Sequence, residues 1–151
     1  MPVRVLHTVP LQDINYDLAE TIAWPRLVSL VAREYDALPP ARRTHTAIIT
    51  GNYGEAGAID FFNRRDHLNL PPALSGHNNY WLWGMHGCDP DVVIGVIDDS
   101  PDDVSKKYES VTIVGVRDTP YAMPFEHGNI YLLRGRRPSA PVNWADERHY
   151  Y

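Results

Sequence analysis

The sequence predicts an α/β fold: a three-layer, Rossmann-like sandwich built on a mainly parallel central sheet of about five strands. Three observations carry that prediction. Short β-branched runs alternate with stretches of helical periodicity. Two of the runs, 47–50 and 92–97, are apolar without alternation, the mark of strands buried on both faces. Pro25 then stands at a helix start, and Pro39 and Pro40 at its end.

Taken in order, residues 3–9 read as a strand and 15–23 as a polar, irregular connection. Pro25 opens a helix where a missing N–H costs nothing, and Leu27, Val28, Leu30, Val31, Tyr35 and Leu38 keep helical spacing until Pro39 and Pro40 stop it. The strand at 47–50 runs into a helix over 54–67, and "PPALSG" gives a short strand near 73–75. The run at 92–97 is a clear strand. Ser100 then caps a helix that carries Pro101, Asp102 and Asp103 in its first turn. Strands at 111–117 and 129–135 follow, and 140–151 reads as a terminal helix. Repeats and linkers are lacking, so 1–151 is expected to form a single domain.

Composition narrows the function classes. The 151 residues are 44% hydrophobic and 22% charged, enough for a globular core. A net charge of -5 argues against a nucleic-acid partner, which requires a basic face. No apolar run is long enough to span a bilayer, so the chain itself is expected to be soluble. The single Cys88 leaves neither an internal disulfide nor a multi-cysteine metal site. Neither a metal nor a cofactor is expected.

The stretch "TGNYGEAGAIDFF" carries Gly51, Gly54 and Gly57 at the spacing of a phosphate-binding turn. Glu55 stands in the middle of it. A helix start that already holds a carboxylate has little use for an anion, so phosphate is disfavoured. The alternative is a tight turn whose acid serves a hydroxyl, or a neighbouring loop. The partner loop is "SGHNNYWLWG". Its His77, Asn78 and Asn79 can bond hydroxyls, while Tyr80, Trp81 and Trp83 can cover the C–H face of a sugar or simply fill a core. Both loops should emerge at the carboxyl edge of neighbouring strands, where open α/β sheets bind ligands. The candidate cluster, for ligand binding or for locking the loops together, is therefore Asn52, Tyr53, Glu55, His77, Asn78, Tyr80 and Trp81. Within it Glu55, Asn52, His77 and Asn78 are expected to touch. "RGRRP" reads as a solvated basic strand end, with attraction to anionic lipid head groups as the sharper alternative.

The blocks "ETIAWPRLVSLVAREYDALPP", "TGNYGEAGAIDFF" and "LPPALSGHNNYWLWG", in that order, resemble the soluble C-terminal domain of bacterial membrane glycosyltransferases of family 39. These are similar to dolichyl-phosphate-mannose–protein mannosyltransferases. The resemblance implies an extracytoplasmic domain that accompanies a transmembrane catalytic portion using a polyprenyl-phosphate sugar. It implies sugar or acceptor recognition, or docking on the membrane core, and carries no catalytic residue onto this chain. A second reading, from the residues alone, is a small independent α/β enzyme using Glu55 and His77 as acid and base.

Overall fold

The computed structural model describes residues 16–120 and 122–150. The expected strand at 3–9 lies outside them. The chain is α/β, with one five-stranded sheet in the order β2-β1-β3-β5-β4. Its strands are β1 (Thr46–Thr50), β2 (Ala73–Leu74), β3 (Val92–Val96), β4 (Tyr108–Arg117) and β5 (Gly128–Arg136).

The sheet is mixed, which corrects the mainly parallel expectation. β1 pairs in parallel with β2 and β3, whereas β5 is antiparallel to both β3 and β4. The reason lies in the connections. A parallel neighbour requires a crossover of about a dozen residues or more, usually a helix. The segment 118–127 between β4 and β5 is shorter than that, and Pro120 and Pro124 interrupt it. The chain can only turn back as a hairpin. Both β1 and β3 are internal strands, as their unbroken apolar runs require.

Among the described residues six α-helices accompany the sheet: α1 (Tyr16–Thr21), α2 (Trp24–Ala37), α3 (Pro40–Arg43), α4 (Tyr53–Asp66), α5 (Asn79–Trp83) and α6 (Pro101–Lys107). The first replaces part of the irregular connection expected at 15–23. The expected terminal helix contracts to a 3-10 turn at Trp144–Glu147. Pro141 stands just before that turn, whose flanking residues Asn143 and Arg148 are extended.

Two faces divide the core. Leu27, Val28 and Val31 of α2, with Ala56 and Ile59 of α4, pack on Ile48, Ile94, Val96 and Ile130 of the sheet. On the other face Val104 of α6 joins Val93, Tyr108, Tyr131 and Leu133. Thus α4, which leads from β1 to β2, lies on one face, and α6, which leaves β3 in the opposite direction, lies on the other. Strand order reverses between β1 and β3. Their carboxyl ends form the crevice where open α/β sheets characteristically bind ligands.

Candidate functional site

The opening of α4 is built by capping. Asn52, with extended backbone, accepts the Glu55 N–H on its side-chain oxygen at 2.8 Å, and Thr50 Oγ1 donates to the Asn52 carbonyl at 2.8 Å. The Tyr53 N–H donates to His77 Nδ1 at 3.3 Å, so the first helical turn is tied to the facing loop. These bonds use donors that an anion would need. Of the three glycines, Gly54 sits under the Asn52 side chain and Gly57 faces the Tyr80 hydroxyl.

Glu55 does not join His77 and Asn78. Glu55 is buried, and its side chain turns inward to Arg117 at the end of β4, whose guanidinium donates to Glu55 Oε1. The other arm of Arg117 donates to Asp98 Oδ1 at 2.6 Å, just beyond β3. Glu126, 2% exposed, approaches from the β4–β5 connection. Burial pushes the Glu55 carboxyl up to about 8 against the pull of Arg117, with Glu126 and Asp98 adding to the rise. The same cause raises Glu126 to about 7, opposed by Arg117 and the Trp24 indole. The two buried carboxyls beside this guanidinium, Glu55 and Glu126, therefore titrate near neutrality. The expected polar cluster is therefore replaced by a buried ionic one, because α4 points its third residue under the sheet edge and toward β4.

His77 takes another role. It is fully buried, its ring stacks on His149 at 4.9 Å between centroids, and Tyr53 packs edge-on against it. Burial and His149 both lower its pKa. The chain around His149 lies against this loop: His149 N–H donates to the Gly76 carbonyl and Asn78 N–H to the His149 carbonyl, both at 3.1 Å. Nε2 of His149 sits 3.1 Å from the Gly51 carbonyl. One C-terminal strap thereby binds both motif loops.

Tyr80 donates to Asp60 Oδ2 at 3.0 Å, fixing α5 on α4. Burial and Asp60 drive its own proton loss well above the usual range. Trp81 and Trp144 exchange indole N–H bonds with each other's carbonyls, at 2.8 and 2.9 Å. Trp81 is half-buried and Trp83 is 56% exposed, so neither fills a core as two tryptophans on a strand would. They sit instead on one helical turn that buries no residue. Around it Leu82, Trp83, Tyr53 and Tyr150 are all about half exposed or more. Tyr53, Asn78, Asn79, Tyr80, Trp83 and Tyr150 line a shallow depression there.

A second cavity, about 360 Å³, opens on the second face of the sheet at the β1–β3 crevice. Of the candidate cluster only Asn52 reaches it. Its other polar walls are Asp98, Asp99, Lys107, Arg136, Glu147 and His149, of which only Arg136 belongs to a stretch singled out in the sequence, "RGRRP". Asp98 and Asp99 were visible only as the acids following an apolar strand. No group of three or more potential metal ligands occurs among the described residues. No family model, curated protein or solved structure matches this chain.

Proposed function

We propose that the chain is a non-catalytic domain of an extracytoplasmic-facing membrane glycosyltransferase that uses a polyprenyl-phosphate sugar. In this reading it docks on the transmembrane catalytic portion through the aromatic face of α5. The observation that carries the docking is α5 itself. A helical turn with no fully buried residue, which meets the core through Tyr80 and exposes Leu82 at 64% and Trp83 at 56%, leaves most of its apolar surface uncovered. Contiguous exposed apolar surface of this kind marks an interaction site. The polar members of the motif loops support the same reading, since their bonds brace the loops that present this face.

The enzyme alternative loses its acid–base pair. Glu55 and His77 are buried with different partners, Arg117 and the His149–Tyr53 stack, and share no space in which a substrate could meet both. No helix among the described residues is long and apolar enough to cross a membrane, so in this reading the bilayer-spanning part lies outside them.

Trp83→Glu should leave the thermal stability of the isolated domain unchanged and lower turnover of the complete transferase at least several-fold. The isolated chain should show no glycosyl transfer above a heat-killed control. Unchanged turnover in the variant, or transfer by the chain alone, would sink the proposal.

A further inference from the structure

The geometry points to a saccharide-binding site in the cavity between the second face of the sheet and the C-terminal strap, separate from the docking face on α5. A site at this place was expected of the motif loops, yet the walls come from other residues. The floor is apolar and is open at Gly95, where β3 passes beneath with no side chain between Val93 and Ile97. A Cβ there would already touch Leu133 Cδ1 at 3.4 Å and Ile97 Cδ1 at 3.6 Å, so the branches of a larger side chain would have to displace those two or enter the cavity.

The aromatic walls are Tyr108, Phe125 and Trp144. Trp144 has its N–H committed to the Trp81 carbonyl, which leaves its hydrocarbon surface for a ligand. The polar rim combines acceptors with donors. Asp98, Asp99 and Glu147 supply carboxylates. Asn52, whose oxygen is already engaged by the Glu55 N–H, has its amide N–H₂ as the remaining donor. Lys107 is paired with Asp99 at 2.7 Å, and Arg136 is turned to the Ala140 carbonyl and the Tyr108 hydroxyl.

That chemistry selects among ligands. Phosphates and other anions meet three carboxylates, a lysine already paired, and a helix start whose N–H groups are capped. A purely apolar ligand would strand the rim. Alternating hydroxyl donors and acceptors on a ring with C–H faces satisfy both walls at once. The volume stands at the small end of ligand pockets, which run about 300–1,000 Å³, and fits a mono- or disaccharide. The choice of a sugar over other polyols rests on the proposed function; the existence of the site does not.

The test is an amide NMR titration of the chain with methyl hexopyranosides. Saturable shifts are expected at Gly51, Asn52, Gly95, Asp98 and Asp99. Gly95→Val, which fills the floor, should abolish them. Glu147→Ala, at an exposed rim position, should weaken binding several-fold and guards against a Gly95 variant that fails to fold. The site is overturned by the absence of any saturable shift, by shifts confined to Tyr53, Asn78 and Trp83, or by unaltered binding in Glu147→Ala. Binding is read on the chain alone and docking on the complete transferase, so either idea can fail while the other stands.

Discussion

At the residue scale the deciding pair is Glu55 with Arg117. Both side chains are 2% exposed, and removing one partner of such a pair leaves an uncompensated charge in the interior. Glu55→Gln preserves shape and the Asn52 cap, and Arg117 retains Asp98. Below about pH 8 the folded Glu55 carboxyl holds its proton, so Gln should leave Tm nearly unchanged at about pH 6 and raise it relative to the parent at about pH 9. Arg117→Met removes the charge that lets either buried acid ionise and should cost about 3–5 kcal/mol at about pH 9. A Glu55 variant that melts well below the parent at the higher pH, or an Arg117 variant as stable as the parent there, would refute this account. Glu55 was legible as an odd carboxylate in a glycine turn. Its partner was not, because Arg117 lies 62 residues further along the chain and looks in sequence like an ordinary polar strand end. Local pattern shows that a charge needs a partner, and only the fold chooses which.

Helices and strands were legible where periodicity and punctuation agreed. Pro25, the Asn52 turn and Ser100 start helices as their chemistry requires, and Ser100 accepts the Asp103 N–H at 3.2 Å. Strand direction was not legible, since it depends on how short the 118–127 return is and not on the strands themselves. The terminal segment was misread for a related reason. Its tryptophan and histidine are spent on contacts with the motif loops, not on a helix face. Gly76 permits that contact: a Cβ there would lie 1.9 Å from the Glu147 carbonyl oxygen, far inside any tolerable approach. Gly76→Ala must therefore lift the strap from the 75–78 loop. Limited proteolysis should cut near 140–148 much faster than in the parent chain, and sugar binding should fall, because Trp144, Glu147 and His149 form one wall of the cavity. Equal protection of the strap in variant and parent would mean that the strap does not depend on this contact.

For the whole molecule, the buried acids set how stability responds to pH. Glu55 and Glu126 titrate at about 8 and about 7 in the folded chain, against 4.5 for an unperturbed glutamate. Between those values the folded state holds more protons than the unfolded one, so stability falls as pH rises. The contribution is complete below about 4.5 and is lost through the folded values. His77 works the other way. Its lowered pKa makes the folded state resist protonation, so its contribution is present above the unperturbed 6.5 and declines as pH drops below it. The two effects separate in the window from about pH 6.5 to about 8.5, where the carboxyls alone change. The protein should melt at progressively lower temperature as pH is raised across it, and Glu126→Gln, which cannot ionise, should flatten that slope. A chain of net charge -5 adds self-repulsion in the same direction, but salt screens that part, whereas buried groups are screened much less. Repeating the melts at high ionic strength therefore isolates the ionic cluster under the sheet edge. A slope that vanishes in salt would show that surface charge, and not Glu55 and Glu126, governs the response.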